Sequence, residues 1–226
     1  MLETMGKLLS QYWFLFLKGT GCTLLLSGIT VLCSSVIGSL FAIARMSNWK
    51  IGNVKPLSLI VTAYIEVLRG TPMLVQLYFF YFLLPKAVPQ LDLSAFACIA
   101  VACVVNSVAY VAEIIRAGIQ AVDKGQTEAA RSLGLNQKQT MIKIVIPQAM
   151  KNVLPALCNE FVTVIKETSI ASTFFVGELM TQYKTMTAAL YLTIEPLLIV
   201  AAIYFILTFT LSKAIAVFER RLQSGD

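Results

Sequence analysis

Long uncharged runs alternate with short polar stretches along this chain, and that alternation sets the predicted elements. Residues 20–44 carry no charge over 25 positions. At about 1.5 Å per residue, such a helix crosses a hydrocarbon core about 30 Å thick with some tilt. Ser34, Ser35, Gly38 and Ser39 place small residues four apart in this run, which lets a neighbouring helix approach closely. A loop with Arg45, Lys50 and Lys55 and no acid follows, and basic loops of this kind are held on the cytoplasmic side. The next apolar segment, residues 57–84, is interrupted by Glu66, Arg69, Gly70, Thr71 and Pro72. Pro72 donates no backbone hydrogen bond and pushes Thr71 out of helical angles, while Gly70 tolerates unusual ones, so a kink or break is expected there. A break at depth is tolerated only against protein or a watery cavity, and it frees backbone groups that can hold a polar solute. Thr71 is therefore a candidate pathway residue, and Glu66 and Arg69, one turn apart, are expected to pair structurally.

The third run, residues 93–116, carries Asn106, Tyr110 and Glu113 at spacings of four and three, on one helical face. A polar face in a membrane helix points at protein or water. Glu113 and Arg116 are expected to pair, and Asn106 is the better solute contact. Residues 123–147 are the most polar long segment. Asp123 and Gln126 have capping-box spacing, Gly134 is a natural left-handed stop, and Asn136 with Gln139 can cap a second short helix ending near Pro147. Ala129, Ala130, Leu133 and Leu135 supply apolar surface for docking.

Residues 148–173 are harder to place, because Lys151, Pro155, Asn159, Glu160 and Lys166 interrupt them. Parity decides: without a crossing here, Lys213, Arg220 and Arg221 end up outside, against the charge bias. With it, twelve basic residues lie inside and only Lys7, Lys18, Lys86 and Lys184 outside. Glu160, Thr163 and Glu167 then share a face. A carboxylate at depth costs about 2.5–3.5 kcal/mol, so Glu160 is expected to have a partner or a function. An external loop at 177–187 and a fifth run, residues 188–217, complete five spans, with the N-terminus outside and the tail, residues 218–226, cytoplasmic. Residues 1–18, with Tyr12, Trp13, Phe14 and Phe16, read as an interfacial lead-in helix.

Composition agrees with this pattern. The 226 residues are 58% hydrophobic and 13% charged, with a mean hydropathy of +0.77, against roughly 25% charged in soluble domains. The net charge of +6 reflects topology, since no basic stripe with interleaved aromatics marks nucleic-acid binding. Five cysteines without CxxC spacing and the absence of histidine exclude a disulfide frame, a His-bearing metal site and a catalytic triad. No glycine begins a GxxxxGK[ST] phosphate loop, so ATP has no site on this chain. An ion-coupled secondary transporter with Glu66, Glu113 and Glu160 as proton sites is the alternative. The odd span count and the lack of an inverted repeat weigh against it. An intramembrane enzyme lacks any nucleophile with a base at a recognisable interval.

Glu128, Ala129 and Ala130, then Gly134, then Ile144, Ile146 and Pro147 match EAA-x3-G-x9-I-x-L-P, with Ile146 a volume-conserving departure from Leu. With YIEVLRGTPMLVQLYF, NSVAYVAEIIRAGIQAV, GQTEAARSLGL and IKETSI beside it, the chain resembles the permeases of polar amino acid ABC importers, the histidine, glutamine, arginine and cystine branch. That resemblance implies an all-α membrane protein of the type I ABC importer permease fold, with five transmembrane helices and a cytoplasmic coupling helix. Residues 19–217 would form the transmembrane domain. It implies a transporter subunit, not an enzyme, in a bacterial cytoplasmic membrane. Its partners would be two cytoplasmic ATP-binding subunits carrying ATP and Mg, a second permease copy or paralogue, and an extracytoplasmic solute-binding protein. Glu128, Ala129, Ala130, Arg131, Leu133, Gly134, Leu135 and Pro147 would form the coupling element. Thr71, Asn106, Glu160 and Thr163 are the expected pathway residues, Thr71, Asn106 and Glu160 meeting at mid-membrane around a substrate carboxylate and ammonium. Which amino acid is carried is left open.

Overall fold

The first uncharged run and the segment before it form one helix. In the computed structural model, which describes residues 1–47 and 49–223, α1 spans Leu2–Met46 without interruption. No proline falls within it, so no backbone donor is lost along its length. Its buried positions include Gly19, Thr23, Ser27, Thr30, Ser34, Gly38 and Ala42, small residues every three or four positions that line one face. Along that face lies α4 (Ala95–Gln120). At Gly38 the helices come so close that a Cβ would sit 2.7 Å from Val111 Cγ1 and 3.2 Å from the Ala112 nitrogen. Close van der Waals contact through small residues is what holds helices together in lipid, where apolar burial supplies little.

The second apolar run is two helices, α2 (Pro56–Gly70) and α3 (Met73–Ala87), bent by 107°. Gly70 stays helical as the last residue of α2 and has no positive φ. Thr71 takes the extended angles φ −115°, ψ 144°, which a following proline favours. The break therefore comes from the Thr71–Pro72 step and not from glycine freedom.

The polar segment 123–147 shows the expected helix, glycine turn and second helix but ends differently. α5 (Lys124–Ser132) is followed by α6 (Gln137–Thr140), which passes through one wide π-type turn, Met141–Val145, into α7 (Ile146–Glu167). The short helix expected to stop near Pro147 does not stop. Thr140, Val145 and Ile146 all keep right-handed helical angles. The wide turn accommodates a proline that has no N–H to donate and whose ring would crowd the carbonyl four residues back. One helical body thus runs from the polar loop through the fourth apolar segment, and a 3-10 stretch prolongs it from Thr168 to Phe174.

Residues 177–187, expected as a loop, belong largely to a helix, α8 (Leu179–Leu190), which packs on α1 and on α9 (Ile194–Gln223). Glu178 organises its start. This carboxylate is fully buried and accepts hydrogen bonds from the Met180 and Thr181 nitrogens at 2.6 Å each, the Thr181 hydroxyl at 2.8 Å and the Tyr204 hydroxyl at 3.2 Å. A capping acid of this kind satisfies donors that a helix start leaves unpaired.

By length and composition α1, α4 and α9 can each cross a membrane, and the bent α2–α3 pair supplies a fourth crossing if it acts as one span. The more polar α7 is not among these. Of the tail placed at 218–226, residues 224–226 lie outside the described residues.

Candidate functional site

Among the described residues, three polar clusters besides the Glu178 cap, and one exposed face, interrupt the apolar packing. The first sits at the broken helix. Gln76, in the first turn of α3, is 7% exposed and Asn106 of α4 is 5% exposed, and the Asn106 side-chain amide donates to Gln76 Oε1 at 2.9 Å. Gln76 Nε2 in turn donates to the Leu68 carbonyl at 2.8 Å, the Thr71 carbonyl at 3.2 Å and Thr71 Oγ1 at 2.8 Å. Thr71 Oγ1 itself donates to the Val67 carbonyl at 2.8 Å. Carbonyls stranded at the end of α2 thereby find donors without water. The structure brings Thr71 and Asn106 together, but through Gln76, a residue that the spacing of polar positions does not single out. The available signal was a single amide in the otherwise apolar and aromatic run 73–84.

The second cluster lies on an adjacent face of α4. Ser107 Oγ donates to Glu160 Oε1 of α7 at 3.2 Å and lies 3.1 Å from Ser34 Oγ of α1. Residues 106 and 107 point about 100° apart around the helix, so Glu160 hydrogen-bonds with Ser107 and not with Asn106 or Thr71. Thr163 donates to the Asn159 carbonyl of its own helix at 3.2 Å. The half-buried Glu160 thus has the partner its burial called for, a serine hydroxyl in a row of three side chains from three helices.

The third cluster closes one end of α4. Glu113 accepts from Arg116, the expected pair, and also from Arg45 of α1. Ser58 of α2 donates to the Arg45 carbonyl at 2.8 Å. One carboxylate therefore joins α1 to α4, with α2 tied to the same arginine. The Glu66–Arg69 pair is not formed: Arg69 lies over the Tyr110 ring at 5.5 Å from its centroid, and the Glu66 side chain is exposed. Cation–π contact with an aromatic on the facing helix has displaced the local i,i+3 pair.

The exposed face belongs to α5. Asp123 Oδ1 accepts from the Gly125 nitrogen at 2.6 Å. Gln126 does not complete the box and instead accepts from Gln148 Nε2 at 3.4 Å. Asn136 and Gln139 do complete a box, with both bonds at 2.9 Å. Gly134 takes φ +87°. Its nitrogen bonds to the Arg131 carbonyl at 3.0 Å and the Leu135 nitrogen to the Ala130 carbonyl at 3.1 Å, the paired closure of a left-handed helix stop. Glu128, Ala129 and Arg131 are exposed, and Leu133 is 82% exposed. Ala130 is buried against the chain itself and Leu135 is half-buried, so neither adds much to the outer face. Pro147 lies in the first turn of α7.

Comparison with known proteins places this arrangement. The family described as binding-protein-dependent transport system inner membrane component matches residues 22–224. The arginine transport system permease protein ArtQ of Bacillus subtilis is 40% identical over 87% of this chain and 89% of its own. A probable glutamine ABC transporter permease protein, GlnM, of the same organism is 37% identical over 97% and 98%. Its L-cystine transport system permease protein TcyB is 36% identical over 94% and 88%. A crystal structure of an amino acid ABC transporter with histidines superposes with a TM-score of 0.86 at 44% identity, covering 94% of this chain and 96% of that one. An inward-facing MetNI methionine ABC transporter shares the fold at 18% identity, with a TM-score of 0.76 over 92% and 96%.

Proposed function

We infer how this chain works from the family it belongs to, the binding-protein-dependent transport system inner membrane components. It is a membrane-spanning permease subunit of an amino acid ABC importer, and the ATP hydrolysis that drives uptake is carried out by a separate subunit. The finer reading proposed here has five crossings, with α7 as the fourth. The N-terminus lies outside and the C-terminus in the cytoplasm of a bacterial inner membrane. Two cytoplasmic ATPases, a second permease copy or paralogue and an external solute-binding protein complete the assembly.

The observation that supports this reading is mechanical. The exposed α5 face, fixed by the Gly134 turn, is followed by a helix that runs without a break from Gln137 to Glu167 and carries Glu160. A displacement imposed on α5 by an ATPase would be passed along a stiff rod to the polar row in the membrane. Glu160, hydrogen-bonded to Ser107, would receive the substrate ammonium group. Thr71 and Asn106, held by Gln76, would border the path at the broken helix, and Thr163 would line it one turn from Glu160. Replacing Leu133 by Asp tests the docking face, because an 82% exposed side chain contributes little to folding. The expected result is an intact permease that no longer retains its ATPase on purification; full retention would refute the reading. Substrate identity is read from stimulation of ATP hydrolysis in the reconstituted complex by binding protein loaded in turn with arginine, glutamine, cystine and histidine.

A further inference from the structure

Between α1 and α2 the chain makes a small hairpin that the transport reading does not use. The Ile51 nitrogen bonds to the Val54 carbonyl at 2.9 Å and the Val54 nitrogen to the Ile51 carbonyl at 3.2 Å. Gly52, at φ +62°, takes the left-handed angle that closes the turn. Three large apolar side chains project from this hairpin into the open: Trp49 is 57% exposed, Ile51 61% and Val54 53%. Lys50 and Lys55 flank the turn, and no acidic residue occurs between Glu3 and Glu66.

We propose that this hairpin is an interfacial anchor, with Trp49, Ile51 and Val54 wedged into the headgroup layer of an anionic phospholipid surface and Lys50 set against its phosphates. Placement comes from the chain: the uncharged run of α1, long enough to cross the bilayer, ends at Ala44, five residues before Trp49, so the hairpin lies close to one bilayer surface. The backbone suits this position because the Ile51 and Val54 amides bond to each other, so insertion leaves those groups satisfied in a poorly hydrating layer. Tryptophan is enriched at membrane–water interfaces, where an apolar ring with one N–H is best solvated. Cations beside it add attraction to anionic lipid. Charge selects the occupant, since a stretch of 62 residues without an acid offers nothing to a basic partner and favours an anionic surface. The proposal does not depend on which side the loop faces or on the docking role of α5.

Trp13 and Trp49 are the chain's two tryptophans, so Trp13→Phe leaves Trp49 as the sole reporter. The test uses the permease in complex with its ATPase, the tryptophans of the other subunits being replaced by phenylalanine, reconstituted into vesicles of phosphatidylcholine alone or with phosphatidylglycerol in both leaflets. Trp49 emission is followed with acrylamide as aqueous quencher and brominated-chain phosphatidylcholine as lipid quencher. On anionic vesicles the emission is expected to move to the blue, acrylamide quenching to fall and the brominated lipid to quench. Lys50→Gln is expected to lower the ratio of lipid-accessible to water-accessible Trp49 roughly fivefold, the factor corresponding to one lysine near a charged surface. Acrylamide quenching that is equal and high in both lipids would put the hairpin in water and overturn the proposal. Protection from both quenchers that persists in detergent would show a protein partner covering the hairpin, and would equally overturn it.

Discussion

Replacing Gln76 by Leu tests whether the broken helix is held by one side chain. The substitution puts an apolar residue of similar size at the start of α3 and deletes an amide that has four partner atoms on three residues: Leu68, Thr71 through two atoms, and Asn106. Two N–H groups cannot make three full bonds at once, so the working number is about three bonds, two donated and one accepted. Side-chain hydrogen bonds in membrane proteins average about 0.6 kcal/mol and reach about 1.7. Leaving a buried partner unsatisfied costs about 1–3 kcal/mol, and Asn106 at 5% exposure is such a partner. The expected loss is therefore about 2–4 kcal/mol, and it falls on the α2–α3–α4 junction. Unfolding of the purified permease in mixed micelles by a denaturing detergent gives the total. The cycle of Gln76→Leu, Asn106→Leu and the double replacement isolates the Gln76–Asn106 coupling, expected at about 0.5–1.5 kcal/mol. A Gln76→Leu protein within about 0.5 kcal/mol of the parent, the range of an inconsequential substitution, would show that lipid or water satisfies the break and would refute the stapling argument.

Three further outcomes follow from the same geometry. Gly134→Val forces a β-branched residue into φ +87°, at roughly 1–2 kcal/mol or more; the loop is expected to refold locally, so that ATP hydrolysis continues while uptake into proteoliposomes is lost, and tightly coupled transport in this variant would contradict the lever reading. Glu160→Gln keeps the hydrogen bond to Ser107 but removes the charge; uptake is expected to fall on the order of tenfold or more, the value of a charged over a neutral hydrogen bond, with co-purification of the ATPase unchanged. Unaltered uptake would show that Glu160 is a packing residue. Gly38→Ala pushes a Cβ to 2.7 Å from Val111 Cγ1 and 3.2 Å from the Ala112 nitrogen, and overpacking of this kind costs about 1–3 kcal/mol. Val111→Ala is expected to restore part of the loss but not all, because the Val111 Cβ at 2.9 Å and the Ala112 nitrogen stay in place; a full rescue would mean that α1 and α4 can slide apart.

Much of this protein follows from local pattern. Charge-free runs mark the crossings, because hydrophobic length is a property of consecutive residues. The Thr71–Pro72 break, the Gly134 stop and the Asn136–Gln139 box are settled within a few residues by missing donors, a permissive φ and side chains that reach their own backbone. The turn after α5 that leaves Leu133 exposed is local for the same reason. Tertiary structure decided what depended on a distant partner. Arg45 reaches Glu113 across 68 positions, Ser107 reaches Glu160 across 53, and Asn106 finds Gln76 across 30. Glu66 and Arg69 have ideal local spacing yet part company, because Tyr110 on a facing helix offers Arg69 its ring. Even the helix through Pro147 belongs here, since a proline reads as a stop until the wide turn before it takes up the strain. By itself the sequence determined where the uncharged runs lie, where the second of them breaks and where the polar loop turns; only the packing of helices decided which polar groups meet. In lipid a buried polar side chain must bond to whatever the neighbouring helix presents, and sequence spacing within one helix does not reveal that neighbour.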